Sequence, residues 1–215
     1  MIIAIDGTAG SGKSTTAKKL AERLNFFHLD SGSLYRVVTY FCIMNKIDPQ
    51  NDELLKRILK DINIEFDDKK ILLNGKDVSG VIREHDVSNF VSEYSTNIII
   101  RNKLSDLQRD LAKNKNIVVE GRDIGTNVFP QAEFRFYLSA KVEVRAARRY
   151  KQMLELGKVG INKEEVLKNL IKRDQLDMSR EHSPLLKSED AIDVDTTDLS
   201  VNEQVELITR TINKE

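Results

Sequence analysis

The stretch Met1-Ile2-Ile3-Ala4-Ile5-Asp6-Gly7-Thr8-Ala9-Gly10-Ser11-Gly12-Lys13-Ser14-Thr15 decides how the rest of the chain is read. Ile2 to Ile5 form a short apolar run of the kind a buried parallel strand requires. Gly7 to Gly12 is a glycine-rich turn. From Ser14 the apolar period changes, and Ala17, Leu20, Ala21 and Leu24 fall on one helical face. Strand, then G-x-x-x-x-G-K-[ST], then helix is a phosphate-binding loop in the context that supports it. The spacing has a physical basis. Glycines let successive backbone N–H groups turn inward as an anion nest, and the helix N-terminus adds its positive end. Lys13 can then reach the β- and γ-phosphates of a nucleotide, and the Ser14 hydroxyl can ligate Mg²⁺. Gly7, Thr8, Ala9, Gly10, Ser11, Gly12, Lys13, Ser14 and Thr15 are therefore the expected nucleotide-binding residues.

The 215 residues fit one domain with embellishments. Lys+Arg 34 against Asp+Glu 34 leaves no net charge, so neither a nucleic acid nor an anionic membrane is an expected partner. The apolar start lacks a basic flank and does not read as a signal peptide. No apolar run approaches a membrane span. The single cysteine, Cys42, cannot form an internal disulfide and suits a reducing cytoplasm, the expected location. Set in an apolar helical stretch, it reads as a small buried hydrophobe.

Phe26-Phe27-His28-Leu29 reads as a second parallel strand, with His28 packed rather than catalytic. It ends in Asp30-Ser31-Gly32, followed by a helix carrying Leu34, Tyr35 and Arg36. Asp30-Ser31 reads as a ligand-binding turn at a strand end, as a helix N-cap, or as both at once. Residues 52–61 form an amphipathic helix. The period then drops to two through Ile62, Ile64 and Phe66, a polar turn from Asp67 to Lys70, Ile71-Leu72-Leu73 and a tight Asn74-Gly75 turn. This β-meander interrupts an alternating α/β pattern and reads as an insertion. Val87, Phe90, Val91 and Tyr94 mark one helix, and a longer one runs from Ile98 to Lys113. Ile117-Val118-Val119 is expected to be a central strand delivering Glu120-Gly121-Arg122-Asp123. Phe134 to Leu138 follows as a strand, then a helix with Arg145, Arg148 and Arg149. Gly157 and Gly160 bracket a flexible turn, and Glu164 to Lys172 resumes helix, with Arg173, Asp174, Asp177 and Arg180 just beyond. Ala191 to Asp195 is the last strand, Thr196-Thr197 follows, and Val201, Val205 and Ile208 lie in phase on a final helix. The pattern implies a parallel sheet covered on both faces.

Two short matches favour a GTPase: Asn45-Lys46-Ile47-Asp48 as N-K-x-D and Asp77-Val78-Ser79-Gly80 as D-x-x-G. Their order is the reverse of a GTPase's, and the first follows a helix instead of a strand, so both read as loop sequences. A kinase for a hydroxyl acceptor needs a base, and an ATPase must position water. The arginines argue for another acceptor. Arg36, Arg101, Arg122, Arg173 and Arg180 sit at element ends or on helices beside the expected cleft, and guanidinium forks match phosphate oxygens. An acceptor phosphate is ionised near neutral pH, so His28, His85 and His182 need no catalytic role. Glu120 at a strand end either orients a metal-bound water or hydrogen-bonds the phosphate loop.

Several segments carry a family resemblance. Gly7 to Ser14, Leu29-Asp30-Ser31-Gly32-Ser33-Leu34-Tyr35-Arg36, and Val119-Glu120-Gly121-Arg122-Asp123-Ile124-Gly125-Thr126 are similar to the bacterial cytidylate (CMP) kinase family. So are Phe129-Pro130-Gln131-Ala132, Arg173-Asp174-Gln175-Leu176-Asp177-Met178-Ser179-Arg180 and Ala191 to Thr197. The resemblance implies an α/β P-loop NTPase fold: a parallel five-stranded sheet flanked by helices, with a β-meander insertion and a lid. The implied parts are a core of about 1–36, 100–147 and 164–215, a monophosphate-binding region of about 37–99, and a lid of about 148–163. It implies that residues 7–15 bind ATP, that Ser31, Arg36, Arg122 and Arg180 hold the acceptor phosphate and sugar side, and that Arg173 and Asp177 bind the ribose. Ser92, Arg101 and Asp123 would read cytosine. Lys13, Arg122, Arg173 and Arg180 would be catalytic. Arg148 and Arg149 would open the lid, which continues through Lys158-Val159-Gly160-Ile161, and Asp195-Thr196-Thr197 would lie near the donor adenine. The expected reaction is Mg²⁺-dependent transfer of the γ-phosphate of ATP to CMP or dCMP by a monomer. A kinase for another monophosphate such as UMP, and a protein that senses ATP without turnover, are the alternatives.

Overall fold

In a computed structural model describing residues 1–67, 70–155, 157 and 160–214, the apolar run at the start becomes β1 (Ile2–Gly7), buried from Ile3 onward. That burial on both faces is explained by its place in the middle of a five-stranded parallel sheet, order β2-β6-β1-β7-β8. The other strands are β2 (Phe27–Asp30), β6 (Ile117–Glu120), β7 (Phe134–Ser139) and β8 (Ile192–Asp195). β6, expected to be central, is interior but one place from the middle. The registers Ile5↔Glu120, Gly7↔Leu138 and Ser139↔Asp195 bring the C-terminal ends of β1, β6, β7 and β8 to one edge. The phosphate loop, residues 121–123 and the turn 196–197 all leave from that edge, where open α/β sheets bind ligands.

The chain divides into two compact units, Met1–Leu29 with Ala112–Glu215, and Asp30–Leu111. In the first, α1 (Lys13–Leu24) and α8 (Val201–Ile212) bury Leu20, Val205 and Ile208 against Ile3, Ile5, Val118, Phe136 and Leu138 of the sheet. α6 (Val142–Glu155) and α7 (Lys163–Ser179) form a smaller core in which Ala146, Val166 and Leu170 meet Ala9 of the phosphate loop. α7 extends seven residues past the expected stop at Lys172. Neither Gly nor Pro interrupts it before Pro184, and Asp174 and Asp177 turn a buried face. Arg173, Asp174 and Asp177 are therefore helical, and only Arg180 lies beyond. A π-helical turn over Ile124–Val128, which no periodicity announces, follows β6.

The second unit holds α2 (Ser31–Met44), α3 (Asp52–Ile58), α4 (His85–Tyr94) and most of α5 (Ile98–Ala112). Its meander is antiparallel: β3 (Ile64–Asp67), β4 (Lys70–Leu73) and β5 (Lys76–Asp77). Residues 68–69 of the expected polar turn lie outside the described residues. Asn74 (φ 50°) and Gly75 (φ 78°) turn the second hairpin with the positive φ pair that a two-residue connection favours. The N-K-x-D match proves to be the end of α2, where Asn45 Nδ2 donates to the Phe41 carbonyl at 2.8 Å. The D-x-x-G match is likewise local turn chemistry: Asp77 accepts the Ser79 N–H at 3.0 Å and its hydroxyl at 2.7 Å. Among the described residues no helix is long and apolar enough to cross a membrane.

Candidate active site

Gly7 is where the loop begins, and its backbone explains the residue. At φ 143°, an added Cβ would stand 1.9 Å from the Leu138 carbonyl oxygen. Lys13 opens α1 and is 5% exposed. Its Nζ donates to the Thr8 carbonyl at 2.6 Å and lies 3.4 Å from Ser11 Oγ. Burial, followed by the nearby Arg122 guanidinium, holds its ammonium well below the ordinary lysine range; Arg173 pushes the same way, against Glu120 and Asp6. Arg122 and Arg173 thus both work against charge on Lys13. Among the described residues the buried Thr8 hydroxyl has no hydrogen-bond partner, so a phosphate oxygen can be its acceptor.

Ser14 donates to Glu120 Oε2 at 2.6 Å, and Glu120 Oε1 lies 3.3 Å from His28 Nε2. Of the two readings of Glu120, the hydrogen bond to the phosphate-loop helix is the one present here. A serine hydroxyl beside a buried carboxylate is an all-oxygen set that fits Mg²⁺, which takes few protein ligands and completes its shell with phosphates and water. Among the described residues no group of three or more His, Cys, Asp or Glu side chains could hold a metal unaided.

After β6 comes a charge network. Arg122 Nε donates to Asp177 Oδ2 at 2.8 Å; Arg180 lies 3.3 Å from Asp123 Oδ1 and 3.8 Å from Asp177 Oδ1. Asp123, Asp177 and Arg180 are all buried. Burial works to raise the Asp177 carboxyl, but Arg122, Arg173 and Arg180 prevail and hold it below its ordinary range. Burial likewise opposes the Arg122 charge, and Asp177 overcomes it. Asp6, near the end of β1, fixes the turn behind this network by accepting the N–H groups of Ile124 at 2.9 Å and Gly125 at 2.7 Å. Burial pushes its carboxyl up to about 6 despite those bonds.

The second unit carries the remaining expected residues. Asp30 caps α2, accepting from Ser33 N–H at 3.1 Å, so the N-cap reading holds. Ser31 is buried in the first turn. Arg36 donates to Ser88 Oγ at 2.9 Å. Arg101, 1% exposed, donates to the Ser95 carbonyl at 3.0 Å and stacks 5.3 Å from the centre of the Tyr35 ring. Ser92 is buried, and its carbonyl accepts the Ser95 hydroxyl at 2.8 Å. Ser92 and Arg101 thus meet through Ser95.

Arg148, expected in the lid, holds the turn after β8: its guanidinium donates to Thr196 Oγ1 at 3.0 Å and to the Thr196 carbonyl at 2.5 Å. Thr196 in turn donates to the Ser11 carbonyl at 2.8 Å. Arg149 donates to Gln152 at 2.8 Å, and burial pulls its guanidinium below the ordinary range. Residues 156, 158 and 159 of the expected lid lie outside the described residues. The sequence reading missed Asp6, Arg145 and Asp174 as site residues. Asp6 had one signal, a carboxylate ending an otherwise apolar strand.

A parallel sheet of this order with the loop after β1 and charged side chains along the same edge is a P-loop NTPase fold. A family model described as cytidylate kinase matches residues 3–214. Relatives named cytidylate kinase from Thermosipho melanesiensis and Fusobacterium nucleatum subsp. nucleatum are each 44% identical. They cover 99% and 100% of this chain, and 96% and 98% of their own lengths. The chain belongs to the cytidylate kinase family. Among solved structures, an uncharacterized protein from Eubacterium ventriosum shares the fold at TM-score 0.55 and 17% identity, covering 100% of this chain and 99% of that one. Shikimate kinase from Bacteroides thetaiotaomicron does so at 0.51 and 13%, covering 99% and 98%.

Proposed function

We propose that this protein transfers the γ-phosphate of ATP to CMP or dCMP, giving ADP and CDP or dCDP. The observation that carries the reading is the phosphate loop leaving β1 at the C-terminal edge of the sheet, with Lys13 buried at the start of α1 and Arg122 leaving β6 at the same edge. An ammonium and a guanidinium placed there match the oxygens of a phosphate chain. Family membership adds the monophosphate acceptor.

In this reading residues 7–15 hold ATP, with the loop N–H groups and Lys13 on its phosphates. Ser14, backed by Glu120, would hold Mg²⁺, which when bound neutralises charge on the donor phosphates. An already ionised oxygen of the CMP phosphate attacks the γ-phosphorus in line as its bond to the β–γ bridging oxygen breaks, and ADP leaves. No proton has to be removed. Lys13, Arg122, Arg173 and Arg180 neutralise the passing charge, while Ser31, Arg36, Arg122 and Arg180 take the acceptor phosphate and sugar side. Asp177 and Arg173 take the ribose; Ser92, Arg101 and Asp123 take the base; Arg148 and Arg149 begin a lid over about 148–163. A lone buried thiol at Cys42 supports a cytoplasmic setting, and we read the protein as a monomer.

A coupled ADP assay across CMP, dCMP, UMP, AMP and GMP tests this, with turnover expected on the two cytidine nucleotides. ADP release independent of added monophosphate, or equal efficiency on UMP, would overturn it. Asp123→Asn tests base reading. Cytosine offers an N4–H₂ donor to a carboxylate, whereas uracil offers O4, and an unmatched buried polar group discriminates by about 10⁴–10⁵-fold. Asn supplies a donor as well as an acceptor, so kcat/KM for CMP should fall and the CMP-to-UMP ratio should narrow. An unchanged ratio removes Asp123 from the base site.

A further inference from the structure

The phosphate loop is gripped at Ala9 by two side chains that no motif reading assigns. Asp174 Oδ1 accepts the Ala9 N–H at 2.9 Å, and Arg145 Nη1 donates to the Ala9 carbonyl at 2.8 Å. The two side chains also pair directly with each other through Arg145 Nη1 and Asp174 Oδ2. Arg145 Nε is anchored on the Ala140 carbonyl at 3.0 Å. Both charged groups are 7% exposed. The Ala9 methyl packs on Ala146, Val166 and Leu170, so the same two helices hold its side chain as well as its peptide. At Gly10 the loop comes so near α6 that an added Cβ would lie 3.3 Å from Arg145 Cβ.

We propose that Arg145 and Asp174 are positioning residues of the donor site, clamping the Ala9 peptide so that the next amides of the loop face a nucleoside triphosphate. The inference rests on the ATP-binding reading above. An anion nest works only if its N–H groups are oriented before the ligand arrives. Turning the Ala9 N–H into Asp174 fixes the peptide plane from which Gly10, Ser11 and Gly12 continue. A carboxylate this close to a phosphate loop would repel the ligand were it alone; Arg145 cancels its charge. The pair serves geometry without adding net charge.

The test uses the full chain and reads three quantities: equilibrium binding of a fluorescent ATP analogue, KM for ATP and for CMP, and thermal midpoint. Asp174→Asn keeps the shape but weakens the grip. It should weaken ATP binding about tenfold, the scale of one charge-assisted hydrogen bond, with KM for CMP near wild type. The paired change Arg145→Met with Asp174→Leu removes both grips while replacing a buried ion pair by apolar groups, a swap that often preserves stability. It should fold, melt near wild type and lose ATP binding at least as strongly. Val205→Ala, a core truncation beside α1, should lower the midpoint and leave ATP binding unchanged. A merely structural tie between α6 and α7 makes Asp174→Asn behave like Val205→Ala, and that result overturns the proposal. Equal losses for ATP and CMP also overturn it, because they mean the pair acts through Arg173. Should the paired variant not fold, Asp174→Asn alone decides. A wild type that phosphorylates no monophosphate would defeat the proposed reaction, while the ATP-binding comparison would still judge the clamp.

Discussion

In the phosphate loop the backbone of Thr8, Ala9 and Ser11 is taken up by side chains: Lys13 on the Thr8 carbonyl, Arg145 and Asp174 on Ala9, Thr196 on the Ser11 carbonyl. Around α4 and α5 the buried cation is treated differently. Arg101 rests on a carbonyl six residues away and on a tyrosine ring, both within its own unit. The loop's partners Arg145, Asp174 and Thr196 come from more than 130 residues along the chain. The backbone of the phosphate loop is thus tied by side chains from far along the chain, whereas Arg101 meets one partner only six residues away and another, Tyr35, in the same unit. The loop region also bears buried charges whose pKa values are displaced, which makes it the electrostatically strained half of the comparison.

The largest effect expected from breaking that strained half is at Lys13. Lys13→Ala should lower kcat by about 10³-fold, the range for losing a group that stabilises transition-state charge. Its midpoint should not fall, because the ammonium sits where burial and Arg122 disfavour its charge. A variant keeping more than half the wild-type rate would contradict the donor-site assignment.

Asp6 sharpens the comparison through pH. Its carboxyl is raised from 3.8 to about 6, so between those values the folded protein keeps a proton that the unfolded chain has released. The Asp6 contribution is therefore fully present below about pH 4 and is lost as pH rises through 6, by about 3 kcal/mol. Urea unfolding of wild type and Asp6→Asn at pH 4, 5.5 and 7 measures it. The wild type should lose ground to the variant as pH rises, and parallel profiles would remove Asp6 from the account.

The smallest effect concerns Asp177. Asp177→Ala should reduce kcat/KM for CMP more than for dCMP, by roughly 1.5–3 kcal/mol, if its carboxylate accepts from the ribose hydroxyls. It also pairs with Arg122 and lies near Arg180, so part of the loss should fall on both substrates. Only the CMP-to-dCMP ratio isolates the ribose. An unchanged ratio would leave Asp177 as the residue that orients two arginines.

The phosphate loop, the alternation of strands and helices and the meander could be read from the chain because each rests on local chemistry. Glycines at fixed spacing, apolar periods of 2 and 3.6, and an Asn-Gly turn are properties of short segments. The extent of α7 was not legible: a run rich in Arg and Asp looks like a helix's end unless something buries those charges. In the folded protein Arg145, Arg122 and Arg180 do so. The partner of Asp123 was not legible either, for a related reason. Arg122 is its neighbour in sequence, yet it is Arg180, 57 residues away, that meets it, while Arg122 turns to Asp177.

By itself, then, the sequence determined that a phosphate-loop motif stands between the first strand and the first helix, since glycines at fixed spacing before Lys-Ser are a property of one short segment. Only the tertiary structure decided which carboxylate each arginine takes and which side chains hold the loop in shape. A charge leaves water only if its partner is within hydrogen-bond reach, and that reach is set by the packing of α6 and α7 against the loop, which no short segment encodes.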